Sequence, residues 1–355
     1  MLMSGLMDNT DANITVAVTG SSGPVGAALV ARLDADEQVG RIIGVDTTEP
    51  DMPAAKLELR TMDVRDAVLS SAFAGADVVV HTDRLTVADP DQQAQYSAMV
   101  NGTQSVLAAV AQAGVGRYVH VSDWTVYGAH PDTPEPVSED APLRANPDYA
   151  PGYYHQLAEE HVAAFAGEHP QVDVAVLRPA AVFGSSADHT LARHFAAPVV
   201  LADINAEEAF QVLGVDDLAA ALHLAVTGAV TGVANVSVPG ALSADDVATM
   251  TGSRVLRLPA GVLDAAVGWL WSRGWWSYPP AFLRVLRHPV VLSSEKLVSN
   301  GWVPVHDQRR VLREFAAANA ETWQVGPSAV RRKTLGFGAL AALATFLVAR
   351  RLFRR

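Results

Sequence analysis

Thr19-Gly20-Ser21-Ser22-Gly23-Pro24-Val25-Gly26 sets three glycines at three-residue intervals, and its flanks give that spacing a meaning. Upstream, Ile14-Thr15-Val16-Ala17-Val18 is an apolar, β-branched run that predicts a short buried strand. Downstream, residues 24–33 predict a helix with Pro24 in its first turn, where a missing N–H costs little. A glycine turn in that setting suits a dinucleotide. One glycine permits the sharp turn, a second lets a pyrophosphate approach the backbone, and a third lets helix and strand pack closely. The helix N-terminus offers free N–H groups and a positive dipole end to the phosphates. Gly20, Ser22, Gly23, Pro24, Val25 and Gly26 are therefore candidate cofactor-binding residues.

The next apolar strand, residues 41–46, ends in Asp46, 20 residues after Gly26. A carboxylate there accepts hydrogen bonds from both ribose hydroxyls and repels a 2′-phosphate, which favours NAD over NADP. Thr47, Thr48 and Glu49 follow, with no arginine to receive such a phosphate. Further strands are predicted at 57–64, 76–82, 117–122 and 172–177, with the clearest helix at 92–113. Strands and helices alternating at this interval predict an α/β fold, a Rossmann-type doubly wound parallel sheet.

The rhythm changes beyond Pro179. A loop at 184–189 leads to a helix at 216–227, a strand at 233–238 and a short helix with Ser243 as N-cap. The expected organisation is a leader at 1–12, an NAD-binding domain at 13–183, a smaller substrate lobe at 184–325 with some return to the sheet, and a tail at 331–355.

The 355 residues are 50% hydrophobic and 18% charged, the profile of a folded chain. The net charge of −12 argues against a nucleic-acid partner met through a basic surface. Its distribution is uneven: seven basic and no acidic residues lie from Arg331 onward, which leaves residues 1–330 at −19 once those seven are removed from the net −12. Cysteine is absent, so disulfides, thiolate metal ligands and a cysteine nucleophile are excluded, and an intracellular setting fits. The first 13 residues show no secretory pattern.

The chain resembles the extended short-chain dehydrogenase/reductases, in the NAD-dependent epimerase/dehydratase branch, from about residue 14 to about 317. Besides the glycine turn and Asp46, the matching pieces include Met62-Asp63-Val64-Arg65-Asp66, Ala76-Asp77-Val78-Val79-Val80-His81, Val100-Asn101-Gly102-Thr103, Val126-Tyr127-Gly128, Leu177-Arg178-Pro179 and Gly301-Trp302-Val303-Pro304. The resemblance implies that Asp63 and Val64 flank the adenine, that Thr82 lies against the cofactor, and that Asn101 lies beneath the nicotinamide side. It also implies a homodimer paired through the long helices.

The family's chemistry rests on a Tyr-x-x-x-Lys pair with a Ser or Thr: the ammonium lowers the phenol pKa so that it exchanges a proton near neutral pH. The pair is missing. The lysines are Lys56, Lys296 and Lys333, and the residues four before them are Met52, Leu292 and Ala329. Aligned on residues 157–160, Gly152 takes the tyrosine slot and Gln156 the lysine slot. Asp123 takes the Ser/Thr slot, with Ser122 beside it. Tyr153 adjoins the empty tyrosine slot, so Ser122, Asp123, Tyr153 and Gln156 are the catalytic candidates. Tyr149, Tyr154 and His155 crowd the same helix start, and Asp83 and Arg84 replace small residues against the cofactor. His189 and His194 lack His-Glu-x-x-His spacing and read as loop and surface residues, so no metal is expected.

Residues 334–349 carry no charge and lie between Arg331-Arg332-Lys333 and Arg350-Arg351. As a helix this run would reach about 24 Å against the roughly 30 Å hydrocarbon layer, and its basic flanks suit anionic headgroups. Membrane lipid is thus an expected partner and the cytoplasmic face of a membrane the expected location; a core or interface helix is the alternative. Trp269, Trp271, Trp275, Trp276 and Tyr278 suit a hydrophobic-substrate wall, an interfacial belt or ordinary packing. Two functions fit. One is an NAD-dependent oxidoreductase or epimerase with an altered proton relay, acting on a sugar-nucleotide or lipid-like alcohol or ketone. The other is an NAD-binding regulatory or scaffold protein at a membrane.

Overall fold

The computed structural model describes residues 13–49, 53–82, 91–276 and 278–331. The expected leader, Asp83 and Arg84, and the apolar run 334–349 lie outside the described residues. The first strand, β1 (Ile14–Thr19), stands in the middle of a seven-stranded sheet. On one side of it lie β2 (Val39–Asp46) and β3 (Leu57–Thr61); on the other lie β4 (Val78–His81), β5 (Arg117–Val121), β6 (Asp173–Pro179) and, at the edge, the later strand Gly232–Val236. Every pairing is parallel. The chain leaves β1 toward β2 and returns to its other side at β4, so the strand order reverses at β1/β4. A crevice opens there at the carboxyl ends of the strands.

Side-chain alternation along β1 feeds two cores. Val16 and Val18 pack with Leu29 and Leu33 of α1 (Pro24–Asp34) and with Leu218 and Leu222 of the helix Val215–Val226. Ala17 faces the other way, onto Val106 and Val110 of the helix Gly102–Ala113 and Phe165 of the helix Ala150–Glu168. Covering both faces is what a parallel sheet requires. Residues beyond 184 do return to this sheet, through Gly232–Val236 and Val215–Val226. The rest form a third core around Phe195, Phe210, Phe282 and Phe315, joined by Phe183 and Tyr149 from before the boundary. That lobe holds two short parallel strand pairs and an antiparallel hairpin of Thr322–Val325 with Ser328–Arg331. Ser243 caps its helix as expected, in a reciprocal capping box with Asp246.

Two expected elements differ. The third strand stops at Thr61 because Asp63 turns the chain, accepting the backbone N–H groups of Arg65 and Asp66 on its side chain and carbonyl. The helix expected over 92–113 is divided into Gln92–Tyr96, a π-helical turn at Ser97–Asn101, and Gly102–Ala113. Such π turns recur at functional sites, and this one borders the cleft described next.

Candidate active site and cofactor crevice

The glycine turn sits in the crevice, and two of its glycines are required there. Gly20 has φ +67°, and a Cβ on it would lie 2.5 Å from the Thr82 carbonyl oxygen. A Cβ on Gly26 would lie 2.1 Å from the Gly20 carbonyl oxygen, so side chains are excluded where α1 crosses β1. Gly23 is the N-cap of α1, followed by Pro24 and Val25, and no side chain caps this first turn. Asp46 ends β2 buried, with Oδ2 accepting the Ser22 N–H at 3.0 Å and Oδ1 accepting the Thr48 N–H at 3.2 Å. A bare backbone, a helix N-terminus and a carboxylate beside them fit the pyrophosphate and ribose of NAD.

The other expected cofactor residues are more scattered. Thr82 is buried, its hydroxyl donating to the Thr19 carbonyl at 2.7 Å. Asp63 is ion-paired with Arg65, which holds its carboxyl below the usual range, and Arg65 also donates to the Ser97 hydroxyl. Val64 packs toward the core of the second sheet face. Asn101 is exposed at the end of the π turn.

Over the carboxyl ends of β5 and β6 lies a cavity of about 190 Å³. Its polar lining is Gln95, Asp123, Thr125, Tyr149, His155, His189 and Thr190, and Trp124, Leu191 and Phe282 are among its apolar walls. Of the four expected catalytic residues only Asp123 is here. Its Oδ1 accepts the Thr125 N–H at 2.9 Å and the Thr125 hydroxyl, which caps the turn Trp124–Tyr127. Ser122 is fully buried elsewhere, its hydroxyl donating to Glu159. Glu159 pairs with Arg178 at 2.6 Å, and Arg178 reaches the Tyr127 hydroxyl, which donates to Asn235 at 2.7 Å. Ser122 and Tyr127 thus belong to a buried polar network that ties the helix Ala150–Glu168, β6, the turn Trp124–Tyr127 and the strand Gly232–Val236 together.

The helix Ala150–Glu168 is one residue out of the expected register. Gln156 accepts the Ala145 N–H at 2.8 Å and donates to Glu160 at 3.0 Å, away from the cavity. Tyr153 packs beside Tyr154 and does not line it. A Cβ on Gly152 would lie 2.9 Å from Thr125 Cβ, so that slot has no room for a tyrosine. The positions four apart that face the cavity are Pro151 and His155. The helix's own pattern carried the signal: Ala158, Val162 and Phe165 are buried, and His155 continues that stripe one turn earlier.

His155 makes no side-chain hydrogen bond among the described residues, whereas His189 has both ring nitrogens engaged, with the Val182 carbonyl and the Ala192 N–H. Behind the cavity, burial and then the nearby His155 push His81 down to about 4, and burial holds His120 well below its ordinary value. Tyr149 donates to Thr190 at 3.1 Å; burial pushes its phenol well up, so it is a poor proton carrier near neutrality. His194 is buried against Tyr278 rather than on the surface, and Arg193 pairs with Asp188. No group of three or more His, Asp or Glu among the described residues is arranged to hold a metal.

Sheet order, glycine turn and ribose carboxylate together define a dinucleotide-binding α/β protein. Residues 16–237 match the NAD-dependent epimerase/dehydratase family, and the chain belongs to it; its cofactor is NAD. An uncharacterised Mycobacterium tuberculosis protein is 28% identical over 238 residues, 64% of this chain and 63% of that protein. This chain therefore spans about 63% of the length of such relatives. Sterol demethylase protein B of Methylococcus capsulatus is 28% identical over 181 residues, 48% of this chain and 52% of that one. The fold is that of the UDP-glucose 4-epimerase of Thermus thermophilus solved with NAD, with a TM-score of 0.66 and 21% identity over 86% of this chain and 99% of that one.

Proposed function

We propose that this protein is an NAD-dependent oxidoreductase for an uncharged, lipid-like secondary alcohol or ketone, with His155 as the group that exchanges the substrate proton. The observation that carries this reading is the charge of the cavity lining. Among the described residues its ionisable lining is Asp123, Tyr149 and two histidines, with neither arginine nor lysine. A nucleoside diphosphate sugar would set two phosphate charges against the Asp123 carboxylate, with no cation among the described lining residues to receive them. A hydroxyl on an apolar skeleton meets hydrogen-bonding groups at one end and Trp124, Leu191 and Phe282 at the other. The partial relative whose name refers to sterols is in keeping with that substrate class.

Held by the glycine turn and Asp46, NAD would supply the hydride acceptor for the carbinol carbon. The residues of this chain do the rest. Thr125 and Thr190 stand where a substrate oxygen can be held, and His155, whose ring makes no side-chain hydrogen bond among the described residues, accepts the hydroxyl proton in place of a phenol–ammonium pair. The uncharged run between basic clusters is read as the membrane contact that brings such a substrate within reach.

The test is NADH formation from NAD with a sterol or long-chain secondary alcohol in mixed micelles, against UDP-glucose. Turnover of the lipid alcohol, absent in His155→Gln while NAD affinity is kept, is the expected result. Turnover of UDP-glucose, or undiminished activity in His155→Gln, would overturn it.

A further inference from the structure

The helix Ala260–Trp271 reads AGVLDAAVGWLW, with one charged residue in 12. A helix apolar around its whole circumference belongs inside a protein. Here only Leu263 and Val267 are buried, while Val262 is 37% exposed, Trp271 38% and the following Trp275 57%. Its acid, Asp264, is taken up by Arg287 at 2.6 Å. Arg273 lies over the Trp269 ring at 4.0 Å and pairs with no carboxylate among the described residues. The surface therefore combines exposed indoles with an unpaired guanidinium.

The way the chain leaves the fold bears on what covers this surface. The terminal hairpin packs directly on it: a Cβ on Gly326 would lie 2.6 Å from the Trp275 carbonyl oxygen. The hairpin's last strand, Ser328–Arg331, is four residues long, about 13 Å at strand rise. Arg331, the last described residue, thus lies within about 13–16 Å of the exposed tryptophans, and the basic and uncharged residues that follow in sequence lie outside the described residues.

We infer that the surface at the C-terminal end of this helix, where Trp269, Arg273 and Trp275 touch and Trp271 is exposed, docks on an anionic membrane surface, so that the folded body touches lipid and is not merely tethered to it. This rests on the reading of residues 334–349 as a membrane contact. Indole rings favour the headgroup level, where one edge is apolar and the other wet. A guanidinium with no internal acid pairs with lipid phosphate. An acidic body would otherwise be repelled from such a surface, and on this helix the one acid, Asp264, is paired with Arg287. The same docking turns one side of the lobe toward the source of a lipid-like substrate.

All seven tryptophans lie at or before Trp323, and residues 334–355 contain none. Tryptophan quenching by lipid therefore reports on the body and not on the tail. Full-length protein is mixed with phosphatidylcholine vesicles containing about one-third phosphatidylglycerol, with and without bromine on the acyl chains. Co-sedimentation together with quenching by the brominated lipid is the expected result. The double variant Trp271→Ser, Trp275→Ser should lose most of the quenching and bind roughly tenfold more weakly at unchanged NAD affinity. Co-sedimentation without quenching would overturn the docked face and leave the tail reading standing; no co-sedimentation would end both. Quenching measured on the wild type decides the matter even if the double variant fails to fold. A wild-type dimer that dissociates in the variant, with no lipid quenching, would assign the face to a second copy instead.

Discussion

Asp46 and the buried histidines are where single side chains set measurable behaviour. The Asp46 carboxylate, held against the glycine turn by the Ser22 N–H, leaves no place for a second negative charge on the ribose. NAD should bind at least about tenfold more tightly than NADP in calorimetry, and Asp46→Ala should narrow that gap. Equal affinities in the wild type would remove Asp46 from this role. His81 and His194 are each pushed to about 4 by burial, so the folded state keeps them neutral while the unfolded chain protonates near 6.5. A depressed histidine contributes stability that is complete above its unfolded pKa and is lost as pH falls through the window from 6.5 to about 4. The loss is on the order of 3 kcal/mol for each at pH 4. Urea midpoints between pH 7 and 4 should fall steeply, and His194→Gln should flatten the curve.

The helix Ala150–Glu168 carries cavity and scaffold on adjacent stripes. Glu159 and Arg178 are 5% and 6% exposed, and each is the other's charge partner. Breaking such a pair leaves a buried ion, so Glu159→Leu should cost about 3–5 kcal/mol in chemical denaturation. Adding Arg178→Met should recover much of that loss, since the second charge is then gone as well; an unrecovered double variant would mean that the network does more than pair charges. One turn earlier, Gly152 lets the helix lie against Thr125. Gly152→Ala should lower stability by about 1–3 kcal/mol through overpacking, and should widen the cavity mouth by pushing the helix away. Gln156→Lys should leave NAD affinity and turnover unchanged, because that side chain faces Ala145 and Glu160 rather than the cavity.

At the scale of the whole molecule, the sheet and the lobe share the chain unevenly. The edge strand Gly232–Val236 and the helix Val215–Val226 come after the first lobe segments, yet complete the sheet and one of its cores. The described lobe therefore cannot be cut away at residue 184 without exposing Val16, Val18, Leu29 and Leu33, which Leu218 and Leu222 cover, and the β6 edge. A chain stopped at 183 should be insoluble or molten and should not bind NAD. Among the described residues no helix is long and apolar enough to cross a membrane. Detergent dependence of the full-length protein, if found, would consequently trace to the run 334–349 together with the tryptophan face. Replacing Arg332 and Lys333 by Gln should weaken binding to anionic vesicles and leave neutral ones unaffected.

Local chemistry made the strand, the glycine turn, the first helix and Asp46 legible in the sequence, because each depends on residues within a few positions of itself: φ at Gly20, the missing N–H of Pro24, and the β-branched run 14–18. Absence was legible too, since no alignment can place a tyrosine four residues before a lysine in this chain. The sequence could not choose which stripe of the helix Ala150–Glu168 faces the cavity. A shift of one residue turns a helix by about 100°, and Leu157–Glu160 suits either register. Tertiary packing decided it, through the buried ion pair between Glu159 and Arg178, two residues 19 apart in sequence that meet only when helix and sheet are docked. That contact puts His155 in the cavity and Gln156 outside it. It also draws Ser122 into the interior, where a serine that looked catalytic by position serves to satisfy a buried carboxylate.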